Sequence, residues 1–133
     1  MRILQILLVC SILGIAQVTV SFAKPVKISP ADPVKDQWFG WSVALSGKHA
    51  IVGSPKADDK GPNAGAVYPY VRSGNTWEPA EPVKIFPIRS GERDEFGSSV
   101  AISGTTAIIG APGNEKGAGA VYVFTYNAGG QRR

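Results

Sequence analysis

Short apolar runs alternate with polar or glycine-containing junctions along most of this chain. Trp41, Val43 and Leu45 interleave with Ser42, Ala44 and Ser46, and Ser98, Val100 and Ile102 interleave with Ser99, Ala101 and Ser103. A period of two sends successive side chains to opposite faces of a strand. Ala50-Ile51-Val52 and Ala107-Ile108-Ile109 are apolar at every position, as in a strand covered on both sides. Third strands are expected over about 64–72 and 118–126, and a fourth around Val83 and Ile85. Ser46-Gly47-Lys48 and Ser73-Gly74-Asn75 carry turn chemistry between runs.

The runs belong to two copies of one unit. Pro25-Val26-Lys27-Ile28 returns as Pro82-Val83-Lys84-Ile85, and Phe39-Gly40 returns as Phe96-Gly97, both 57 residues on. From Phe39 to Pro55, 11 of 17 positions are identical at that offset, including Gly53 and Pro55 against Gly110 and Pro112. Ala64-Gly65-Ala66-Val67-Tyr68 returns as Ala118-Gly119-Ala120-Val121-Tyr122 after only 54 residues, so the second copy is three residues shorter in between. Surface loops tolerate such changes, which marks 56–63 and 113–117 as loops. Four short antiparallel strands per unit predict an all-β fold of β-propeller blades, with sheets stacked face to face. The glycine after each Phe is expected in a sharp turn with φ above zero.

Residues 1–23 read as a signal peptide. Arg2 precedes a mostly apolar run, Ile3 to Val20, and Ser21-Phe22-Ala23 places small residues for cleavage after Ala23. The protein is therefore expected to be secreted or periplasmic, with no membrane attachment after cleavage. The repeat region is 24–133, with the first repeat at about 36–87 and the second at about 94–126. The second unit is one strand short, and a strand at 25–29 is expected to complete it. That gives eight strands in two blades. A ring needs roughly four to eight. The expected resolutions are self-association into a ring, a fragment of a larger propeller protein or hydrolase, or a small two-sheet sandwich.

Composition narrows the chemistry. The one cysteine, Cys10, lies in the leader, so the processed chain has no disulfide. Without Arg2, 13 basic and 10 acidic residues remain, and they are scattered. No basic stripe interleaved with aromatics points to nucleic acid. His49 is the one histidine, no Gly-x-Ser-x-Gly elbow is present, and a zinc site lacks ligands. The chain is expected not to be an enzyme. Asp94-Glu95 reads as turn chemistry rather than an acid–base pair. Trp38 is a candidate binding residue, whereas Trp41, on the Val43 and Leu45 face, is assigned to the core. Lys56, Lys60 and Asn63 in the first loop, and Asn114 and Lys116 in the second, are the other candidate binding residues.

Phe39-Gly40 followed by Gly53-Ser54-Pro55, and Phe96-Gly97 followed by Gly110-Ala111-Pro112, resemble the FG-GAP repeat. This is the repeat of the integrin α-subunit head and of many bacterial exported proteins, and the resemblance spans about residues 36–126. It implies a β-propeller, seven-bladed in integrins, used for adhesion or for binding a protein or glycan partner. Several integrin repeats also hold calcium in an Asp-x-Asp-x-Asp-Gly loop. The matching position offers Asp58-Asp59-Lys60-Gly61, and the second copy offers Asn114-Glu115-Lys116-Gly117. Asp58 and Asp59 are the candidate calcium ligands, but two acids beside Lys56 and Lys60 make a poor cage for an ion that takes six to eight oxygens. No cofactor is expected otherwise, and a calcium-stabilised adhesion module is the alternative reading.

Overall fold

The structure, a computed structural model, describes Ser21 and residues 24–126. The expected leader and its cleavage point lie, apart from Ser21, outside the described residues. Two antiparallel sheets account for nearly all regular structure. The first has the order β1–β2–β3–β4, with β1 at Ser42–Ser46, β2 at His49–Ser54, β3 at Ala66–Ser73 and β4 at Thr76–Pro79. The second has the order β5–β6–β7, with β5 at Ser99–Ser103, β6 at Thr106–Ala111 and β7 at Ala120–Thr125. The ladders keep the repeat register: Ser42 pairs with Gly53 as Ser99 pairs with Gly110. Gly47, Gly74 and Gly104 turn the hairpins with φ of 58°, 59° and 55°, values that glycine adopts without a Cβ penalty.

The sheets stack as neighbouring blades, and the main core lies between them. Ile51 and Val67 of the first sheet are buried with Phe96, Ala107, Ile109 and Ala111 of the second unit. Ala44, Val100, Ile102, Tyr122 and Phe124 pack around them. Polar contacts fix the stacking. The Ser42 hydroxyl donates to the Gly97 carbonyl at 2.6 Å, and the Phe96 amide donates to the Ala64 carbonyl at 3.0 Å. The backbones approach so closely at Gly53 that a Cβ there would lie 2.1 Å from the Gly97 oxygen. Any larger residue would push the sheets apart.

The other face of the first sheet is covered in part. Val52, Tyr68 and Tyr70 are buried under Phe39, Trp77, Phe86 and Ile28. The Tyr70 hydroxyl donates to the Ser29 carbonyl at 3.2 Å. Toward β1 the same face is bare: Trp41, Val43 and Leu45 are 60%, 68% and 63% exposed. Trp41 is therefore not a core residue. The alternation identified the face correctly, but none of the described residues lies over it. In the second unit the equivalent Val100 and Ile102 face the first blade and are packed.

Two strand expectations change. The fourth strand of the first sheet is Thr76–Pro79, paired with β3 through Tyr70–Ser73. Ile85 continues that edge after an interruption, exchanging two backbone hydrogen bonds with Val67 at 3.2 and 2.8 Å. Val83 belongs to no strand. Residues 25–29 form no strand and do not complete the second sheet, which keeps three strands among the described residues. Ile28 and Ser29 lie instead against the first blade, because Tyr68 and Tyr70 offer an apolar surface and a hydroxyl there.

Candidate binding surface

The Phe-Gly turns and the β2–β3 and β6–β7 connections all sit at one end of the blades, opposite the hairpins. Each Phe-Gly turn is built the same way. Gly40 and Gly97 take φ of 92° and 91°, and their amides donate to the carbonyls of Gly53 and Gly110 at 3.1 and 3.0 Å. This bond ties the start of the first strand to the end of the second, next to Pro55 and Pro112. Phe39 meets Tyr68 edge-on at 5.2 Å between ring centroids, and Phe96 meets Tyr122 edge-on at 5.6 Å. Ala111 is buried beside Phe96 in the inter-blade core.

Trp38 precedes the first of these turns in left-handed backbone, φ 58°. Its ring stacks on Trp41 with centroids 5.0 Å apart and planes 23° apart. The Lys56 ammonium lies 5.3 Å from the centroid of the Trp38 ring and forms an ion pair with Glu95. Ammonium over an indole face is a favourable cation–π arrangement. Glu95 occupies the repeat position of Trp38 and has the same left-handed backbone, φ 54°. Lys56 thus bridges two equivalent turns, one per blade. The sequence offered Trp38 and Lys56. It missed Glu95 and the exposure of Trp41, although aligning the two copies puts Trp38 opposite Glu95.

The remaining candidates are spread out. The Asp58 carboxylate accepts the Asn63 amide at 2.7 Å, an internal brace of the first loop. Lys60 lies 5.2 Å from the Phe86 ring centroid. Asn114 donates to the buried Asp94 carboxylate at 3.0 Å, and the Gly91 amide donates to the same oxygen at 2.6 Å. Asp94 thus braces its turn. Lys116 and Glu115 sit in a single tight turn, α1 at Asn114–Gly117, with left-handed φ of 62° and 49°.

Asp59 is engaged by Lys84, whose ammonium lies 2.7 Å from the Asp59 carboxylate and also pairs with Asp32. The Lys84 side chain is 13% exposed and lies 5.4 Å from the Tyr68 ring centroid. Burial alone would lower its pKa, but the hydrogen bonds to Asp32 and Asp59 outweigh that and hold it above the ordinary lysine value. Burial raises Tyr68, against the opposing pull of Lys84, and burial likewise raises Tyr70. Among the described residues no group of three or more His, Cys, Asp or Glu side chains is arranged to hold a metal ion. The single histidine lies at the hairpin end, 5.3 Å from the Tyr126 ring centroid.

Comparison with curated proteins gives no match to this chain. A profile of the FG-GAP repeat matches it twice, over residues 22–70 and 80–124. The first match takes in β1, β2 and most of β3, the second runs from the first sheet's edge at Ile85 through β5, β6 and most of β7, and together they span more than half of the sequence. Phe39-Gly40 with Gly53-Ser54-Pro55 falls within the first match, and Phe96-Gly97 with Gly110-Ala111-Pro112 within the second. The chain belongs to the FG-GAP repeat family, as a pair of blades of the β-propeller type.

Proposed function

We propose that this chain is a non-catalytic, exported interaction module that engages a partner through the loop end of its blades, and that the exposed indoles favour a glycan over a protein. The observation that carries this reading is the Trp38–Trp41 stack beside Lys56. Rigid indoles offer flat apolar area at low conformational-entropy cost. Such rings with a nearby cation have the composition of binding hot spots. Glu95 adds a carboxylate that accepts hydrogen bonds, next to the lysine that donates them.

The polar groups support binding over catalysis. Asp94 is tied to its own turn, Glu95 is paired with Lys56, and His49 lies at the far end of the blades. Export rests on Arg2, the apolar run that follows, and Ser21-Phe22-Ala23. Intact mass of the exported protein should place its new N-terminus at Lys24.

Binding is tested by probing a glycan array with the purified protein, then titrating the hits by tryptophan fluorescence. The expected result is binding to at least one glycan class and a loss of about tenfold or more for Trp38→Ala, which is roughly 1.4 kcal/mol. Lys48→Ala, in the hairpin at the opposite end of the blades, should bind as the parent does. A blank array, or full binding by Trp38→Ala, would overturn the reading.

A further inference from the structure

We propose that the chain assembles head to tail with copies of itself, the open face of the second blade of one copy closing over the open face of the first blade of the next. This goes beyond the binding reading and does not depend on it; Trp41 stands on the face the junction covers, so in the assembly the loop end of the blades, with Trp38, is what remains to the partner.

The warrant is that the chain already contains one such junction, and the repeat supplies both halves of a second. In the internal junction, the first blade receives and the second blade presents. Ser42 donates to Gly97, Val67 pairs with Ile85, Ala64 accepts from Phe96, and the Ser46 hydroxyl accepts from Gly104. The receiving positions recur on the second blade as Ser99, Val121, Ala118 and Ser103. The presenting positions recur on the first blade as Gly40, Ile28, Phe39 and Gly47. A second junction therefore has a donor for each acceptor, and the segment around Ile28 for the open edge of β7.

The apolar surfaces agree. On the receiving face of the second blade, Val121 is 69% exposed, with Ile108 and Val123 bare beside it. The repeat equivalents of Ile108 and Val121 in the first blade are Ile51 and Val67, both buried against the second blade. On the presenting face of the first blade, Val43 and Leu45 are exposed where Val100 and Ile102 are packed. Bare apolar faces on both sides of a stable protein mark an interaction surface.

The backbone agrees too. At Gly53 an added Cβ would strike the Gly97 carbonyl, but at Gly110 it would meet only Ser99. The space that Gly97 fills in the internal junction is open at Gly110. It forms a depression of about 160 Å³ lined by Ser99, Ala101, Ile108, Gly110 and Val121. Gly40, with the same φ as Gly97, has nothing within 4 Å of the Cβ position. Gly40 of a second copy fits that depression. In the same assembly its Ile28 pairs with Val121, as Ile85 pairs with Val67, and the first-repeat segment completes the three-stranded sheet of its neighbour.

Receiving and presenting faces differ, so the contact is heterologous and builds a closed ring or an open filament according to its rotation. Propellers hold roughly four to eight blades, so a closed ring takes about two to four copies.

The test is light scattering with sedimentation velocity on the purified protein, on Leu45→Asp and on Val121→Asp. Both side chains are exposed in the single chain, so neither substitution disturbs its fold. The parent should run at a discrete multiple of the chain mass if the ring closes, or as a concentration-dependent series of multiples if it does not, and each variant alone at the mass of one chain. An equimolar mixture of the two variants retains one good presenting face and one good receiving face, and should form a one-to-one dimer. Oxidation of the paired variant Ile28→Cys with Val121→Cys should yield a reducible ladder of covalent multimers, absent when either cysteine is introduced alone. A monomeric parent, association of either charged variant by itself, or a mixture that stays monomeric would each overturn the proposal.

Discussion

The Ser42 hydroxyl points across the blade junction and donates to the Gly97 carbonyl at 2.6 Å, in the gap left by the absent side chain of Gly53. One residue of the first strand thus satisfies a backbone carbonyl in the second unit's Phe-Gly turn. Ser42→Ala leaves that carbonyl without its donor and should cost about 1–2 kcal/mol in urea denaturation. Ser99→Ala, at the equivalent position on the open face, should change the stability of the isolated chain by less than about 0.5 kcal/mol. Equal costs at the two positions would contradict this account of the junction.

The two motif phenylalanines should differ as well. Phe96 is fully buried between the blades, whereas Phe39 is partly covered on the outer face. Phe96→Ala is expected to cost about 3–5 kcal/mol through lost burial and the cavity left behind. Phe39→Ala should cost clearly less. Equilibrium unfolding followed by tryptophan fluorescence would rank them.

The Lys84 cluster predicts a pH dependence with a definite sign. Lys84 is held above its ordinary value of 10.5, and Tyr68 and Tyr70 above 10.0. In each case the native state keeps its proton to higher pH than the unfolded chain does. Their contribution to stability is complete below about pH 10 and is lost as pH rises through the folded values. Urea midpoints should stay flat through the neutral range and fall in the alkaline range. Lys84→Met should make that alkaline fall shallower, and an unchanged slope would refute the assignment.

The first loop separates an internal brace from a calcium site. Asp58 accepts the Asn63 amide, and Asp59 is held by Lys84. Chelator should therefore leave the melting temperature unchanged. Asp58→Ala should lower stability by about 1 kcal/mol through loss of the loop hydrogen bond. A chelator-sensitive melting temperature would favour the calcium-stabilised alternative.

Much of the fold was legible because the repeat is read twice. The offset of 57 set β1 and β2 against β5 and β6, and the shift to 54 located the loops. Strand β4 was missed because Thr76-Trp77-Glu78-Pro79 has no second copy to compare, although the preceding Ser73-Gly74-Asn75 was visible as a turn. Pro25–Ile28 looked like a strand by its match to Pro82–Ile85. Yet Ile85 is paired because the chain brings it back along the edge of β3, whereas Ile28 packs on the first blade and pairs with no strand among the described residues. Of the site, Trp38 and Lys56 were readable by residue type. The Lys84–Asp32–Asp59 cluster was not, since its members lie 25 and 52 residues apart with no pattern joining them.

The three-residue difference between the loops at 56–63 and 113–117 leaves the register of the ladders they join unchanged, with Gly53 opposite Val67 and Gly110 opposite Val121. Length at that end is therefore decoupled from the framework that carries it. For protein engineering, this makes the connection between β6 and β7 a natural graft point. A foreign peptide in place of Glu115-Lys116 would leave Asn114 anchored to Asp94 and Ala120 as the start of β7, so the blade would serve as a rigid frame for displayed sequence.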